Sequence, residues 1–170
     1  MIKIIVAMGR NNEIGIGDQL LGKFPEDLKH FRFTTRGQIV VFGRKTFDGL
    51  PEQMKDFPSR YGVILTSDPT GIARYIGRNA GWSTSLIKLV TQYNELPEDL
   101  KKTDMYICGG EKVYRDAIEM PEVSELIITH IDRDFPEATH FFPAIDFSTW
   151  HEVESWSLTD ELQVIRYKRK

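Results

Sequence analysis

The chain has 170 residues, of which 41% are hydrophobic and 28% are charged. This length predicts one domain over residues 1–170, with a core that buries about two thirds of the unfolded chain's surface. The net charge of −3 comes from interspersed acidic and basic residues. The absence of a basic stripe argues against a nucleic acid partner, so we expect a small-molecule ligand.

Cysteine content and apolar runs indicate the cellular compartment. The one cysteine, Cys108, excludes an internal disulfide and most cysteine-based zinc sites, and it is typical of a reducing environment. The apolar start at residues 2–8 contains Lys3 and is too short for a signal sequence or a membrane span, which needs about 18 apolar residues. We therefore expect a mature, soluble, cytoplasmic protein with no membrane partner.

The first half of the chain alternates strands and helices. Residues 2–8 predict a mostly buried strand, and Gly9–Lys23, with four glycines, predicts a long loop. Loops of this length in compact domains are usually functional lids or disordered segments. The elements predicted next are a helix from Pro25 to about Thr35, a strand over Ile39–Gly43, a short helix from Arg44 to about Leu50, a strand over Tyr61–Thr66, and an ambiguous short strand over Arg74–Ile76.

The second half ends in β structure. Ser83 or Ser85 is the predicted N-cap of a helix through about Tyr93. The later predicted elements are a buried strand over Met105–Cys108, a helix that ends near Pro121, and strands over Glu125–Ile131, Trp150–Trp156 and Leu162–Tyr167. This order predicts an α/β fold: a central, mainly parallel twisted sheet of about eight strands with an antiparallel C-terminal hairpin at its edge, flanked by about four helices.

Asp27 borders an apolar stripe at the start of the first predicted helix. Pro25 suits the first helical position, and a turn of roughly 100° per residue places Leu28, Phe31 and Thr35 on one face. An acid in the first turn commonly does no more than favour the helix dipole, by about 0.3–1 kcal/mol. The lid-like loop before this helix and the turns described next favour a functional role instead.

Two strand-to-helix turns are typical of anion sites. In Val41–Thr46 the start of a helix combines free backbone N–H groups with two cations and a hydroxyl, and in Ile107–Glu111 paired glycines allow close approach of a ligand. Each turn alone is a weak signal. Two of them in one α/β sheet indicate a dinucleotide site at the carboxyl ends of the strands. The Rossmann fingerprint is absent, because Gly15-Ile16-Gly17 has the wrong spacing. The Walker lysine motif is missing too, which disfavours nucleotide hydrolysis.

Metal binding and nucleophilic catalysis are not indicated. The histidines show no metal-ligand spacing, and the sequence contains no Gly-x-Ser-x-Gly elbow. We expect each histidine to be structural or solvated, with His140 between strands and held by aromatic packing. Cys108, at the end of a buried strand, is expected to be a small apolar filler. The histidines are His30, His130, His140 and His151.

The chain resembles the dihydrofolate reductase family over its whole length, from Ile2 through the final hairpin. No single motif decides this resemblance, but the order and spacing of the motifs are highly specific. The matching segments are Ala7 with Ile14-Gly15, Pro25–Leu28 with Phe31 and Thr35, Gly43–Phe47, Pro58–Arg60, Gly109-Gly110 with Val113-Tyr114, Thr129–Ile131 and Thr139–Phe141.

The resemblance implies NADPH-dependent reduction of 7,8-dihydrofolate to 5,6,7,8-tetrahydrofolate, by hydride transfer to C6 and protonation of N5, and binding of antifolate inhibitors. Asp27 would bind the pterin 2-amino group and ring nitrogen and favour protonation of N5, and Thr129 would hydrogen-bond to this acid. Arg60 would bind the α-carboxylate of the folate tail with its planar guanidinium. The other substrate-binding residues implied are Ile5, Val6, Leu28, Phe31, Leu50 and Cys108.

The resemblance also assigns the cofactor residues. Arg44, Lys45 and Thr46 correspond to the phosphate-binding turn. Thr66 and Ser67 correspond to hydroxyls near the 2′-phosphate, which favours NADPH over NADH. The family's Gly109-Gly110 peptide is cis, so we expect a cis bond here. The remaining cofactor-binding residues implied are Ala7, Ile14, Gly15, Gly43, Gly109, Gly110, Lys112, Val113 and Tyr114, with Tyr114 close to the nicotinamide.

The chain departs from the family pattern in its lid and in its pterin pocket. Leu21-Gly22 stands where the family usually has Pro-Trp, and this change is expected to loosen the loop Gly9–Lys23. Ala138 replaces an acid that bonds the closed lid in some members, and Cys108 replaces an aliphatic residue.

Two alternatives to a dihydrofolate reductase stay open at this stage. One is a binding protein of the same fold with weak turnover. The other is a reductase of a related pterin or of a ribitylamino-pyrimidine, against which Asp27 together with Arg60 argues. We expect a monomer, although the sequence does not decide the oligomeric state.

Overall fold

The computed structural model of the protein describes residues 1–68, 70–71 and 79–170. The helices in these residues are α1 (Pro25–Thr34), α2 (Arg44–Asp48), α3 (Leu86–Asn94) and α4 (Glu111–Ile118), with a 3-10 turn at Glu52–Met54. The strands are β1 (Ile2–Met8), β2 (Glu13–Ile16), β3 (Gln19–Leu20), β4 (Ile39–Gly43), β5 (Tyr61–Leu65), β6 (Ala80–Ser83), β7 (Met105–Ile107), β8 (Val123–Ile131), β9 (His140–Phe141), β10 (Trp150–Ser157) and β11 (Leu162–Arg169).

Eight of these strands form the central sheet, in the order β10-β11-β8-β1-β7-β4-β5-β6. Every pair from β8 to β6 in this order is parallel, whereas β11 pairs antiparallel with both β8 and β10. The inner strands are nearly continuous runs of apolar residues because helices and loops cover both faces of a parallel sheet. The predicted fold class is therefore confirmed.

The core is divided between the two faces of the sheet. Side chains alternate along a strand, so Ile4 and Val6 of β1 pack with α3 and α4 on one face. Ile5 points to the opposite face, where it joins a cluster that includes Phe47 of α2 and the half-buried Phe31 of α1. Helix α1 and its Asp27 therefore belong to the Ile5 side of the sheet.

The segment Gly9–Lys23, which we call the lid, is not the plain loop that the sequence predicts. It contains β2 and β3, and β2 also pairs with β9 in a second sheet of order β3-β2-β9. Its glycines led to the wrong prediction, because the partner strand His140–Phe141 is remote in sequence and no local pattern reveals it. The predicted strand at Arg74–Ile76 lies outside the described residues, and β6 forms the sheet edge at Ala80–Ser83.

Element boundaries shift by a few residues from those predicted. Helix α2 ends at Asp48 rather than Leu50, and α4 ends at Ile118 rather than near Pro121. The Ser85 hydroxyl caps α3 by accepting a hydrogen bond from the backbone N–H of Lys88 at 3.2 Å. Among the described residues, no helix is both long and apolar enough to cross a membrane.

Candidate functional site

The two strand-to-helix turns predicted from the sequence lie against each other. They follow β4 and β7, which are neighbours in the sheet, so parallel pairing brings their carboxyl ends to one edge. The backbone N–H of Gly43 donates a hydrogen bond to the carbonyl of Gly109 at 2.8 Å, and the N–H of Cys108 donates to Val41 at 2.8 Å. The starts of α2 and α4 therefore open onto one shared region.

Glycines are required where these turns meet, and we call Gly43, Gly109 and Gly110 the glycine cradle. A Cβ atom on Gly110 would lie 2.6 Å from Oγ1 of Thr46, and one on Gly43 would lie 3.1 Å from Cγ2 of Val113. The Gly109-Gly110 peptide is cis, as predicted. Backbone N–H groups at helix starts with no side chain in front of them suit phosphate oxygens and other ligand acceptors.

Cations and hydroxyls border the cradle on the β5 side. Arg44 is half-buried and its Nε lies 3.4 Å from Oδ2 of Asp48, whereas Lys45 is exposed. Thr66 is buried, and its hydroxyl donates to the carbonyl of Asp68 at 3.2 Å. Thr66 thus stabilises the turn after β5, and the exposed Ser67 next to it is the hydroxyl that remains available to an anion.

Asp27 is a half-buried carboxylate in the first turn of α1. Burial raises the pKa of Asp27 above its ordinary value of 3.8, while a side-chain hydrogen bond with Thr129 and the nearby His30 oppose this increase. Thr129 lies on β8 opposite Ala7 of β1 and is only 2% exposed. The predicted pair of Asp27 and Thr129 is therefore brought together, above the middle of the sheet.

The acid also lies near the glycine cradle. Burial, then Cys108, then Asp27 raise the pKa of Tyr114, so the phenol and the carboxylate interact electrostatically. The phenol of Tyr114 donates to the carbonyl of Ile5 at 2.9 Å, and its ring lies 3.5 Å from the Cβ position of Gly109. Tyr114 thus connects the two halves of the site.

Apolar side chains line the same face of the sheet beside Asp27. Four of the predicted residues, Ile5, Phe31, Leu50 and Cys108, belong to one apolar cluster. Val6 belongs to the cluster on the opposite face, so only its backbone is available to this site. The side-chain alternation of a strand accounts for this separation of Val6 from Ile5. Leu28 is half-buried on α1.

Arg60 is held rigidly at the far end of α1. Its Nε donates to Oγ1 of Thr35 at 2.7 Å, and its Nη1 and Nη2 donate to the carbonyls of Pro58 and Arg32, each at 2.5 Å. Thr35 is fully buried and its hydroxyl donates to the carbonyl of Phe31 at 2.8 Å. Burial, and then repulsion from Arg32 and Arg36, lowers the pKa of Arg60, so this end of the site is strongly cationic.

Comparison with known proteins places the chain in a family. A family model described as dihydrofolate reductase matches residues 1–169. Among similar proteins, the dihydrofolate reductase of Mycobacterium tuberculosis H37Rv is 30% identical over 158 residues, which cover 92% of this chain and 88% of that protein. That of Neisseria meningitidis serogroup B is 33% identical over 153 residues, covering 90% and 85%.

The chain belongs to the dihydrofolate reductase family. A solved structure of similar fold, a dihydrofolate reductase from Enterococcus faecalis complexed with NADP(H), has a TM-score of 0.81 and 27% identity, and the match covers 100% of this chain and 96% of that one. The family is one of enzymes, and this similarity supports NADPH as the cofactor. The glycine cradle fits such a cofactor because it exposes backbone donors at two helix starts.

The lid of this dihydrofolate reductase family member is bonded to the segment before β9. The backbone N–H of Gly17 donates to Oγ1 of Thr139 at 2.7 Å, and the N–H of Thr139 donates to the carbonyl of Gly15 at 2.9 Å. Ala138 has no side-chain acceptor, so the hydroxyl of Thr139 makes the lid contact in this chain. The sequence motif contains Thr139, but only the strand pairing reveals this role.

The base of the lid is organised by Glu13, which sequence reasoning missed. This carboxylate is 2% exposed and accepts from the backbone N–H of Asn11 at 2.9 Å, from Nδ2 of Asn11 at 3.0 Å and from the N–H of Phe135 at 3.4 Å. Burial opposes its ionisation, but these hydrogen bonds outweigh that effect and lower the pKa of Glu13. No local pattern marks this role, because Glu13 follows two polar residues, Asn11 and Asn12.

The prediction that aromatic packing holds His140 is wrong. His140 lies in β9, half exposed, with Nδ1 3.3 Å from Oε2 of Glu111, and the N–H of Phe141 donates to Oε1 of the same carboxylate at 3.3 Å. Glu111 is the first residue of α4. The lid sheet is thus connected to the helix that follows the glycine cradle.

Potential metal-ligating side chains and Cys108 can be compared with their predicted roles. Among the described residues, no three His, Cys, Asp or Glu side chains are grouped as metal ligands. Burial raises the pKa of the Cys108 thiol, whose Sγ donates to the carbonyl of Tyr106 at 3.3 Å, as expected of a neutral filler. Gly22 is exposed, and a Cβ there would meet the Phe24 ring at 3.4 Å, an ordinary contact.

Proposed function

We propose that this protein reduces 7,8-dihydrofolate to 5,6,7,8-tetrahydrofolate with NADPH, by hydride transfer to C6 and protonation of N5. The observation that carries this proposal is the half-buried carboxylate of Asp27, which has a raised pKa and interacts with Tyr114 beside the glycine cradle. A neutral or weakly hydrated acid next to a pterin ring is what the proton step requires. Family membership supports the same reaction.

The residues of the chain have distinct tasks in this proposal. When bound, NADPH supplies the hydride. Hydride arrival at C6 leaves negative charge on N5, so the pterin must be held where N5 is protonated. Asp27 binds the 2-amino group and ring nitrogen, and Thr129 orients the carboxylate. Ile5, Phe31 and Leu50 exclude water from the ring.

The cofactor residues proposed here surround the cradle. Arg44, Lys45 and Thr46 hold phosphate at the start of α2, and Ser67 supplies a hydroxyl beside them. The other proposed contacts are Ala7, Ile14, Gly15, Gly43, Thr66, Gly109, Gly110, Lys112, Val113 and Tyr114. Backbone donors and cations together are what a dinucleotide phosphate needs.

Arg60 favours a folate over a substrate without a glutamyl tail. Its guanidinium is fixed by Thr35, Pro58 and Arg32, and a rigid planar donor of this kind suits a carboxylate. A ribitylamino-pyrimidine offers no carboxylate for it.

A folate- and NADPH-binding protein with weak turnover is the second candidate. The lid favours this candidate, because Gly22 provides no side chain there and Leu20 is 72% exposed. A lid that does not cover the ring would leave water in the site and slow the chemical step.

The deciding experiment follows the loss of NADPH absorbance with and without dihydrofolate. We expect substrate-dependent oxidation that falls by about 10²–10⁴-fold at neutral pH in Asp27→Asn, since the acid takes part in the proton step. Glu26→Gln is the matched control, because Glu26 lies in the same helical turn but is exposed. Binding of both ligands without oxidation by the unmodified protein would instead establish the binding protein.

We also propose that residues 1–170 form one domain, that the protein is a cytoplasmic monomer, and that it has neither a nucleic acid nor a membrane partner. The interspersed charges of the sequence support the absence of a nucleic acid partner. Sedimentation velocity measures the oligomeric state.

A further inference from the structure

His30 lies one helical turn after Asp27 and is half-buried between α1 and β10. Its ring is edge-on to the indole of Trp156 on β10, with the ring centres 5.9 Å apart and the planes at 72°. Nδ1 lies 3.4 Å from Oγ1 of Thr34, and Nε2 is buried and forms no hydrogen bond within the described residues. A titratable imidazole therefore occupies a position where an apolar ring would suffice for packing.

The geometry of α1 directs His30 toward Asp27. Residues three apart on a helix are neighbours on its surface, so the imidazole and the carboxylate share one face. Both residues are half-buried, so solvent screens their interaction less than it would at the surface.

Few other groups act on this pair within the described residues. Asp27 interacts with Thr129 of β8 and Tyr114 of α4, besides His30 on its own helix. His30 interacts with Thr34 on its own helix and with Trp156 of β10, neither of which carries a charge. His30 is therefore the group beside Asp27 that can become a cation in the acidic range.

We propose that His30 is a positioning residue that sets the ionisation of Asp27 through its own charge, and thereby the pH range of the proton step. Only this last consequence rests on the proposed function. The coupling between the two side chains is a property of the protein alone.

The direction of each pKa shift is consistent with an interaction between the two side chains. Burial lowers the pKa of His30 from its ordinary 6.5, and the carboxylate of Asp27 partly offsets this decrease. Burial raises the pKa of Asp27 from 3.8, and His30 is one of the groups that oppose the increase. Burial thus brings the two pKa values closer together, whereas the attraction between the imidazolium and the carboxylate opposes both shifts.

The first test uses NMR titration of the imidazole C–H signals in the full chain and in Asp27→Asn. Loss of the carboxylate removes the interaction that favours the imidazolium, so the midpoint of His30 should shift downward. His130 is an internal control, because burial also lowers its pKa but the carboxylate that opposes this effect is Glu152. An unshifted His30 midpoint would overturn the proposal.

The second test substitutes His30 instead of Asp27, so it can be carried out even if Asp27→Asn does not fold. His30→Phe retains an aromatic ring against Trp156, and His30→Gln retains a polar group. In both variants the midpoint of the Asp27 carboxyl carbon should shift upward, because the cation that stabilises the carboxylate is gone. His130→Phe should leave it unchanged.

The catalytic readout is the pH profile of the hydride transfer step under single turnover. Its midpoint should shift in the same upward direction in His30→Phe and His30→Gln, but not in His130→Phe. A change in KM or thermal stability with an unshifted midpoint would show a packing role only and refute the proposal. If the NMR midpoints shift although the protein oxidises no NADPH, the coupling stands and the proposed function fails.

Discussion

The glycine cradle and the lid both border the site, but they are built in different ways. The cradle consists of backbone from two adjacent parallel strands, and its close contacts leave no room for a Cβ atom on Gly110. The lid is held by its pairing with the distant strand β9 and by the side chains of Glu13, Thr139 and Glu111, which join segments remote in sequence. A local motif therefore reveals the cradle, whereas only the pairing of distant segments reveals the lid.

The largest change in the free energy of unfolding is expected from a substitution at the base of the lid. Glu13→Gln removes the charge that its backbone and side-chain donors stabilise, and hydrogen bonds to charged groups are worth about 1.5–3 kcal/mol. Because the pKa of Glu13 is lowered in the folded protein, the stabilisation is complete above its ordinary 4.5 and disappears as the pH falls through the folded value. Chemical denaturation across pH measures it.

The exposed Glu137→Gln is the control for Glu13, since Glu137 precedes β9 without being buried. If the difference in the free energy of unfolding between wild type and Glu13→Gln persists unchanged at strongly acidic pH, this explanation is contradicted.

Adding a methyl group in the cradle tests whether its glycines are required because a Cβ atom does not fit there. Gly110→Ala places Cβ 2.6 Å from the Thr46 hydroxyl oxygen. We expect a destabilisation of about 1–3 kcal/mol, as for other overpacked sites, measured by thermal unfolding. Adding Thr46→Ala should restore part of the loss.

Gly22→Ala is the matched control for the cradle variant, because its Cβ meets the Phe24 ring at an ordinary 3.4 Å. Equal destabilisation of the two alanine variants would refute the claim that the cradle is the tighter region.

The Thr139 hydroxyl provides a smaller test of the lid. Thr139→Val removes the acceptor of the Gly17 N–H but retains the backbone bond to Gly15. One neutral hydrogen bond is worth about 0.5–1.5 kcal/mol, so amide exchange at Gly17 should accelerate about two- to tenfold. Thr139→Ser keeps the hydroxyl and should exchange like wild type. Unchanged exchange in the valine variant would mean that the contact does not hold the lid.

The smallest effect is expected from filling the lid at Gly22. Gly22→Trp places an aromatic ring near Phe24, and aromatic pairs contribute about 0.5–1.5 kcal/mol. If a more ordered lid improves substrate binding, the KM for dihydrofolate should fall about two- to tenfold. Gly22→Ala, which adds no ring, should leave it near the wild-type value. An unchanged or higher KM in the tryptophan variant would contradict the role assigned to this position.

Strand periodicity separates two adjacent residues that the sequence assigns to the substrate. Ile5 and Val6 are adjacent in β1, and the sequence motif includes both. A strand turns successive side chains to opposite faces, so Ile5 lines the site and Val6 packs under α3 and α4. The sequence predicts that Ile5 and Val6 lie in a strand. Which face of that strand borders the candidate site depends on where α1 packs.

The sequence by itself determined the order of the helices and of most central-sheet strands, the start of α1 at Pro25, the placement of Asp27 on its apolar border and the two glycine turns. These features arise from periodicity and backbone geometry over a few neighbouring residues. The tertiary structure alone decided that the lid pairs with His140–Phe141, that the Thr139 hydroxyl accepts a hydrogen bond from the lid, and that His30 is half-buried against Trp156. Burial and contact between remote segments create these properties, because desolvation and pairing depend on neighbours that no local pattern specifies.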